Sequence, residues 1–257
     1  MRVIGITGKK NTGKTTLVTM IISELKKRGF KVGTVKKTHS EFDVEGRDTQ
    51  KHSAAGAEIV AGVGKETFFK INETVKLDDV LKFIEQLKHL DFIILEGFKK
   101  SPYIKIATAN YTNSDKTIIK LVNMLKIKDN SEENSISKIV DLIEEKSYGL
   151  LQKLNCKKCG YNTCEEFREA KIKGIAGKEV QCLTDIDTAI LKVDGEIIPM
   201  NPFVKNLVKN ITTSLVESLR TNEFGVKSIE KIELIVKNED TALAQYLNCS
   251  KAVCVCG

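Results

Sequence analysis

The sequence predicts an α/β domain with a mostly parallel sheet, followed by a small cysteine-rich module and a small α+β unit. Two patterns support this organisation. Apolar strand-like runs alternate with amphipathic helices over residues 1–147, and four cysteines cluster within residues 150–184. The alternation is lost in residues 185–257, where a hairpin, one helix and one further strand are expected. Domain boundaries are therefore predicted near residues 147 and 184.

The first domain is expected to alternate strands and helices from its first residues. Residues 2–7, RVIGIT, form an apolar strand, and residues 14–28 form a helix with one apolar face. That face carries Leu17, Met20, Ile21 and Leu25. Gly29 ends the helix. Further strands are predicted at residues 31–37, 57–63, 67–71, 91–97, 101–109 and 116–122, and further helices at residues 77–89 and 135–146, the last capped by Ser135.

The C-terminal unit is expected to begin with a β-hairpin. Residues 189–193, AILKV, and residues 196–200, EIIPM, flank the dipeptide Asp194-Gly195, which suits a two-residue turn. A helix follows, with apolar residues at every fourth position, and the pattern of residues 228–237 then predicts a strand. The apolar helix positions are Phe203, Leu207, Ile211, Leu215 and Leu219.

A glycine-rich loop joins the first strand to the first helix. Residues 8–16, GKKNTGKTT, match the pattern G-x-x-x-x-G-K-[ST] at every position. In this pattern backbone N–H groups face the phosphates, the lysine reaches the terminal phosphates, and the hydroxyl helps to hold Mg²⁺. The sequence therefore predicts a P-loop NTPase domain, with Lys14 catalytic and Thr15 a Mg²⁺ ligand. The predicted nucleotide-binding residues are Gly8, Lys10, Asn11, Thr12, Gly13, Lys14, Thr15 and Thr16.

A P-loop normally works with an acidic residue at the end of a neighbouring strand. Glu96 follows four apolar residues in DFIILEGF, so it is predicted as a Mg²⁺ ligand and catalytic residue. Asp43 and Asp48, in a polar loop after the second strand, are competing candidates for the same metal. The residues do not identify the base, because no N-K-x-D motif occurs and TNSDK at 112–116 imitates it only weakly.

Four cysteines form a second candidate site. Cys156, Cys159, Cys164 and Cys182 give C-x₂-C-x₄-C and a fourth cysteine after seventeen residues. Three sulfurs from one loop and a fourth from a separate turn suit a [4Fe–4S] cubane, and Gly160 allows the backbone close to it. Zinc is the alternative, although zinc ligands usually come as two close pairs. The C-terminal thiols Cys249, Cys254 and Cys256 are left open between a shared metal, sulfur delivery and no function.

Composition limits the setting and the partners. The net charge is +7, but the lysines are scattered over predicted helix faces, so a nucleic-acid groove is not expected. No apolar run approaches the roughly 20 residues that cross a bilayer, so no membrane association is expected. The N-terminus has no secretory pattern, and clustered cysteines suit a reducing compartment, which predicts a cytoplasmic protein.

Three segments together resemble the molybdopterin-guanine dinucleotide biosynthesis protein B family: GKKNTGKTT, VKKTHSEFDVEGRDTQKHSAAGA and DFIILEGFKKSPYIKI. The resemblance covers residues 1 to about 147. It implies GTP as the nucleotide, weak GTP hydrolysis, and an accessory role beside the enzyme that attaches GMP to molybdopterin, with molybdo- or tungstoenzymes as clients. His39 and His52 match family positions, whereas Lys37 stands where the family usually has histidine. The cysteine segment is similar to the four-cysteine module of corrinoid iron–sulfur proteins.

The leading hypothesis joins both sites. A GTP-binding accessory protein of molybdenum or tungsten cofactor biosynthesis would carry a [4Fe–4S] module for redox chemistry or docking. The alternatives are a nucleotide-driven electron-transfer activator and a metal-insertion chaperone. A homodimer is left open.

Overall fold

A computed structural model gives the structure of the protein. It describes residues 1–38, 48–108, 115–128, 135–151, 153–182 and 202–220, with 189, 191–193, 196–198, 200, 223, 232 and 234. The chain divides into two compact units, Met1–Asp187 and Thr188–Gly257. The cysteine module thus groups with the α/β domain, and the predicted boundary near residue 147 stays a prediction.

The first unit contains most of the regular structure. Its elements in chain order are β1 (Arg2–Thr7), α1 (Lys14–Lys27), β2 (Val32–Lys36), α2 (Asp48–Ala54), β3 (Ile59–Val63), β4 (Thr67–Ile71), α3 (Leu77–Leu87), β5 (Phe92–Glu96), β6 (Lys105–Thr108), β7 (Ile118–Val122), α4 (Met124–Lys128), α5 (Ile136–Lys146) and α6 (Cys164–Lys173).

Five strands form the main sheet, in the order β2-β5-β1-β6-β7, and all neighbours in it are parallel. The α/β prediction is confirmed. Strands β1 and β5 are central and almost fully buried, which explains why they read as continuous apolar runs. Helix α1 buries Leu17, Ile21 and Leu25. Because parallel strands end at one edge, the C-terminal ends of β1, β2 and β5 lie together beside the glycine-rich loop.

Within the part of the chain that the structure describes, strands β3 and β4 pair only with each other, as an antiparallel hairpin in which Ile59 lies opposite Ile71. The sequence predicts both strands but does not separate them from the main sheet. Three residues connect them, and the N–H of Gly64 donates to the carbonyl of Glu66. A connection this short permits a hairpin and excludes a parallel crossover.

The cysteine module packs on the α/β domain through buried aromatic rings. The backbone of Tyr148 forms an isolated bridge with Val3, and the Val3 N–H donates to the Tyr148 carbonyl at 2.9 Å. Phe167 and Cys182 belong to the same hydrophobic core as the central strands. The apolar core therefore extends from the sheet into the module.

The second unit contains the predicted hairpin, β8 (Leu191–Val193) and β9 (Glu196–Ile198), followed by α7 (Pro202–Ser218). The turn residues and the strand predicted at 228–237 lie outside the described residues. The apolar positions at four-residue spacing on α7 are exposed, Phe203 to 75%. No helix in the described part of the chain combines the length and the apolarity that crossing a membrane requires.

Candidate functional site

The loop between β1 and α1 has the backbone geometry of a phosphate cradle. Gly8, Asn11 and Gly13 have φ values of 153°, 60° and 82°, and Gly13 is the N-cap of α1. A Cβ on Gly8 would lie 1.9 Å from Oγ1 of Thr108, so only glycine fits there. The Thr12 hydroxyl lies 2.6 Å from the same Thr108 oxygen, which ties the loop to β6.

The predicted catalytic and metal-binding side chains meet at the end of this loop. The Thr15 hydroxyl donates to Oε1 of Glu96 at 3.1 Å, across the C-terminal end of the sheet. Nζ of Lys36 lies 3.6 Å from the same carboxylate oxygen, because Lys36 and Glu96 are register partners on β2 and β5. Nζ of Lys14 folds back over the loop and donates to the carbonyl of Lys9.

The competing candidates are placed elsewhere or are not described. Asp48 lies on α2, exposed, and forms an ion pair with Lys51 at 3.1 Å. His52, on the same short helix, is also exposed. Asp43 and His39 lie outside the described residues. Sequence reasoning missed Lys36, whose contact depends on strand order that no local pattern reveals.

The four predicted cysteine ligands line one pocket, which Tyr161 and Phe167 also line. Cys182 is buried, Cys159 and Cys164 are half-buried, and Cys156 is exposed. Among the described residues, no three His, Cys, Asp or Glu side chains come close enough together to hold a single metal ion. The four cysteines therefore share one pocket without converging on a single point.

Local hydrogen bonds fix the cysteine loop to α6. The hydroxyl of Thr163, the N-cap, accepts from the Glu166 N–H at 3.0 Å, and the Glu166 carboxylate accepts from the Asn162 N–H at 3.0 Å. The Cys164 N–H donates to Oδ1 of Asn155 at 2.9 Å. Cys164, a predicted ligand, is thus held at the start of α6. Cys156, a second predicted ligand, directly follows Asn155, whose side chain accepts the Cys164 N–H.

A buried tyrosine connects the module to the loop that follows Glu96. The Tyr148 hydroxyl donates to the Pro102 carbonyl at 2.6 Å, and its ring centroid lies 6.3 Å from that of Phe167. Burial raises the pKa of Tyr148, so the hydroxyl stays a donor. The preceding carbonyl, of Ser101, accepts from Nζ of buried Lys105 at 2.6 Å. The end of the β5–β6 connection is thereby bonded both to β6, through Lys105, and to Tyr148, just before the module.

A buried lysine, Lys171, bonds the module to the end of α5. Lys171 on α6 has no exposed surface, and its Nζ donates to the carbonyls of Gly177 at 2.8 Å and Glu145 at 3.3 Å. Burial, with a smaller contribution from Arg2, lowers the pKa of Lys171 to about 8. Sequence reasoning missed Lys171 because a lysine within EAKIKG has the pattern of a solvated helix face.

Comparison with known proteins covers both sites. The family described as "Molybdopterin guanine dinucleotide synthesis protein B", MobB, matches residues 3–128, and the family "Putative Fe-S cluster" matches residues 151–182. A "Putative molybdopterin-guanine dinucleotide biosynthesis adapter protein" from Methanocaldococcus jannaschii is 34% identical over 237 residues, which span 86% of this chain and 92% of that protein. The chain belongs to the MobB family. The resemblance that the sequence predicts is thus confirmed, including the attached Fe–S segment.

Other MobB proteins match the first part of the chain. The adapter protein of Haemophilus influenzae is 34% identical over 107 residues, or 40% of this chain and 60% of that protein. The crystal structure of Bacillus subtilis MobB is 28% identical and covers 42% of this chain and 67% of that chain, with a TM-score of 0.37. The MobB homologue from Bacillus stearothermophilus, also 28% identical, covers 41% and 61%, with a TM-score of 0.32.

Proposed function

We propose that this MobB-family chain is a GTP-binding adapter protein in the biosynthesis of molybdopterin guanine dinucleotide, with a [4Fe–4S] cluster in its cysteine module. The observation that carries the proposal is the contact between the Thr15 hydroxyl and the Glu96 carboxylate, at the mouth of a complete P-loop. The M. jannaschii relative, matched over 92% of its length, is named as such an adapter. Its name supports the biosynthetic role.

Binding follows from the loop geometry. Left-handed backbone at Asn11 and Gly13 turns N–H groups inward at the N-terminus of α1, where the helix dipole also favours an anion. Lys14 exchanges its bond to the Lys9 carbonyl for the terminal phosphates. Mg²⁺, when bound, supplies charge neutralisation at those phosphates, and Thr15 and Glu96 are the residues that would hold it.

Lys36 adds a cation to this arrangement. Its ammonium lies 3.6 Å from the Glu96 carboxylate and balances that charge in the protein alone. A carboxylate shared between Thr15 and Lys36 is already oriented toward the phosphate loop, so metal binding requires little rearrangement. Hydrolysis by this site is expected to be weak, since the family resemblance implies weak GTPase activity.

The pocket favours a cluster over zinc. Four sulfurs at 2.3 Å from one zinc ion lie about 3.8 Å from each other. The described cysteines instead line a pocket without converging on a point. A cubane distributes its thiolate ligands over separate irons and so does not require them to converge on one point. All four cysteines fall within the matched Fe–S segment, residues 151–182. The cluster would serve redox chemistry or docking.

The partner proposed for the adapter is the enzyme that transfers GMP to molybdopterin, with molybdenum or tungsten enzymes as clients. The alternative, an electron-transfer activator driven by nucleotide hydrolysis, predicts a preference for ATP. Isothermal titration of the anaerobically purified protein with GTP and ATP, each with Mg²⁺, separates the two. Clear preference for GTP supports the adapter, whereas tighter ATP binding would favour the activator.

Two variants test the site itself. Lys14→Ala should weaken GTP binding by roughly ten- to hundredfold, because a charge-assisted contact contributes about 1.5–3 kcal/mol. Lys26→Ala, at the exposed far end of the same helix, is the matched control. Glu96→Gln should keep GTP but lose the Mg²⁺ dependence of binding and hydrolysis. If Asp48→Asn shows that loss instead, then the metal carboxylate lies on α2.

A further inference from the structure

The cysteine pocket opens to the surface on one side. Cys182 is 8% exposed and packs in the hydrophobic core, and Cys159 and Cys164 are half-buried. Cys156 alone of these four is exposed. A cluster held by these sulfurs would therefore approach the surface at Cys156, and a partner that exchanges electrons with it would have to dock there.

Two exposed lysines lie close to Cys156 in the sequence. Lys153 and Lys157 are exposed, and within the described residues neither side chain has a hydrogen-bond or ion-pair partner. Lys157 lines the pocket itself. Both lysines have left-handed backbone, with φ of 55° and 61°, a conformation that lysine rarely adopts. The loop around Cys156 thus has an irregular backbone, and both of these exposed lysines belong to it.

The acidic residues of the module do not cancel this charge at the opening. No aspartate or glutamate occurs between residues 147 and 164. On α6, Glu165 forms an ion pair with Arg168, and Glu169 with Lys173 at 3.0 Å. The Glu166 carboxylate accepts the Asn162 N–H. The three acids of α6 are therefore partnered, and the fourth acid of the module, Glu179, lies 4.0 Å from Nζ of Lys178, whereas Lys153 and Lys157 have no partner among the described residues.

We propose that the face formed by Cys156, Lys153 and Lys157 docks an acidic electron-carrier protein, which delivers one electron to the cluster. This inference rests on the proposed [4Fe–4S] cluster. Cys156, Cys159, Cys164 and Cys182 would hold the cluster, which would take up the single electron that the carrier loses, with no bond or proton transferred. A carrier with a negative surface matches the free lysines, and opposite charges raise the rate of encounter.

The test uses the full chain, loaded with iron and sulfide under anaerobic conditions. Stopped-flow absorbance follows reduction of the cluster by a reduced acidic ferredoxin at low and high ionic strength. A photoreduced deazaflavin, which is small and needs no docking, provides the reference rate. The variant Lys153→Glu/Lys157→Glu reverses the charge of the face, and Lys65→Glu/Lys88→Glu makes the same change in net charge at exposed lysines outside the module.

The rate with ferredoxin should fall steeply with salt and fall at least about tenfold in Lys153→Glu/Lys157→Glu at low salt. The control variant and the deazaflavin rates should not change. Equal ferredoxin rates in both double variants would overturn the docking face while leaving the cluster intact. Iron analysis separates that result from the other failure, because a chain without a reducible iron cluster overturns the docking face together with the cluster assignment.

Discussion

Replacing Tyr148 by phenylalanine removes the hydroxyl that bonds the segment before the cysteine module to the β5–β6 connection. The ring, which is 1% exposed, keeps its packing on Phe167. The Pro102 carbonyl loses its donor at 2.6 Å, but Pro102 is exposed, so water can partly replace the bond. The cost is therefore that of a net hydrogen bond, about 1 kcal/mol, rather than the larger penalty of an unsatisfied buried carbonyl.

Thermal unfolding followed by circular dichroism measures this cost. For a unit of this size, about 1 kcal/mol corresponds to a decrease in Tm of roughly 2–4 °C. Tyr161→Phe is the matched control, because the Tyr161 ring contacts Phe167 at 5.8 Å but is only half-buried, and it should change stability by less than about 0.5 kcal/mol. Equal Tm values for the two variants would refute an anchoring role for the Tyr148 hydroxyl.

Three further predictions concern the remaining parts of the chain. The pKa of Lys171 is about 8, below its ordinary value of 10.5. Between these two pH values the unfolded state binds more protons than the folded state, so the free energy of unfolding should rise with pH. The expected rise is roughly 2 kcal/mol up to about pH 9.5. Urea unfolding of Lys171→Met should lack this rise. Gly8→Ala should weaken GTP binding at least about tenfold in titration calorimetry, because the added Cβ would lie 1.9 Å from Oγ1 of Thr108. Gly177→Ala is the control and should bind GTP normally, because a Cβ there meets nothing within 4 Å. Cys182→Ser should lower the iron content measured after anaerobic purification, since an alkoxide replaces a soft thiolate, and serine at the three C-terminal cysteines should not.

The α/β sheet was predicted correctly because its strands and helices have local signatures, such as the buried apolar run of β5. The glycine-rich loop is a contiguous motif and Glu96 directly follows that run, so both could be named from the sequence, and their roles in binding stay predictions. The separation of hairpin β3–β4 from the main sheet was not predicted, because apolar alternation reports a strand but not its partner. Lys36, Tyr148 and Lys171 were also missed, because each acts through contacts between residues that are distant in sequence.

The connection from Glu96 to Pro102 is short and internally bonded. The Ser101 N–H donates to the Phe98 carbonyl at 3.1 Å, and the Gly97 N–H donates to the Ile6 carbonyl of β1. One end of this connection carries the carboxylate beside the phosphate loop, and the other end accepts the Tyr148 hydroxyl. Hydrogen bonds therefore fix the connection at both ends and within it. A movement of Glu96 that was passed along this connection would therefore be a local loop adjustment, with the timescale of such motions.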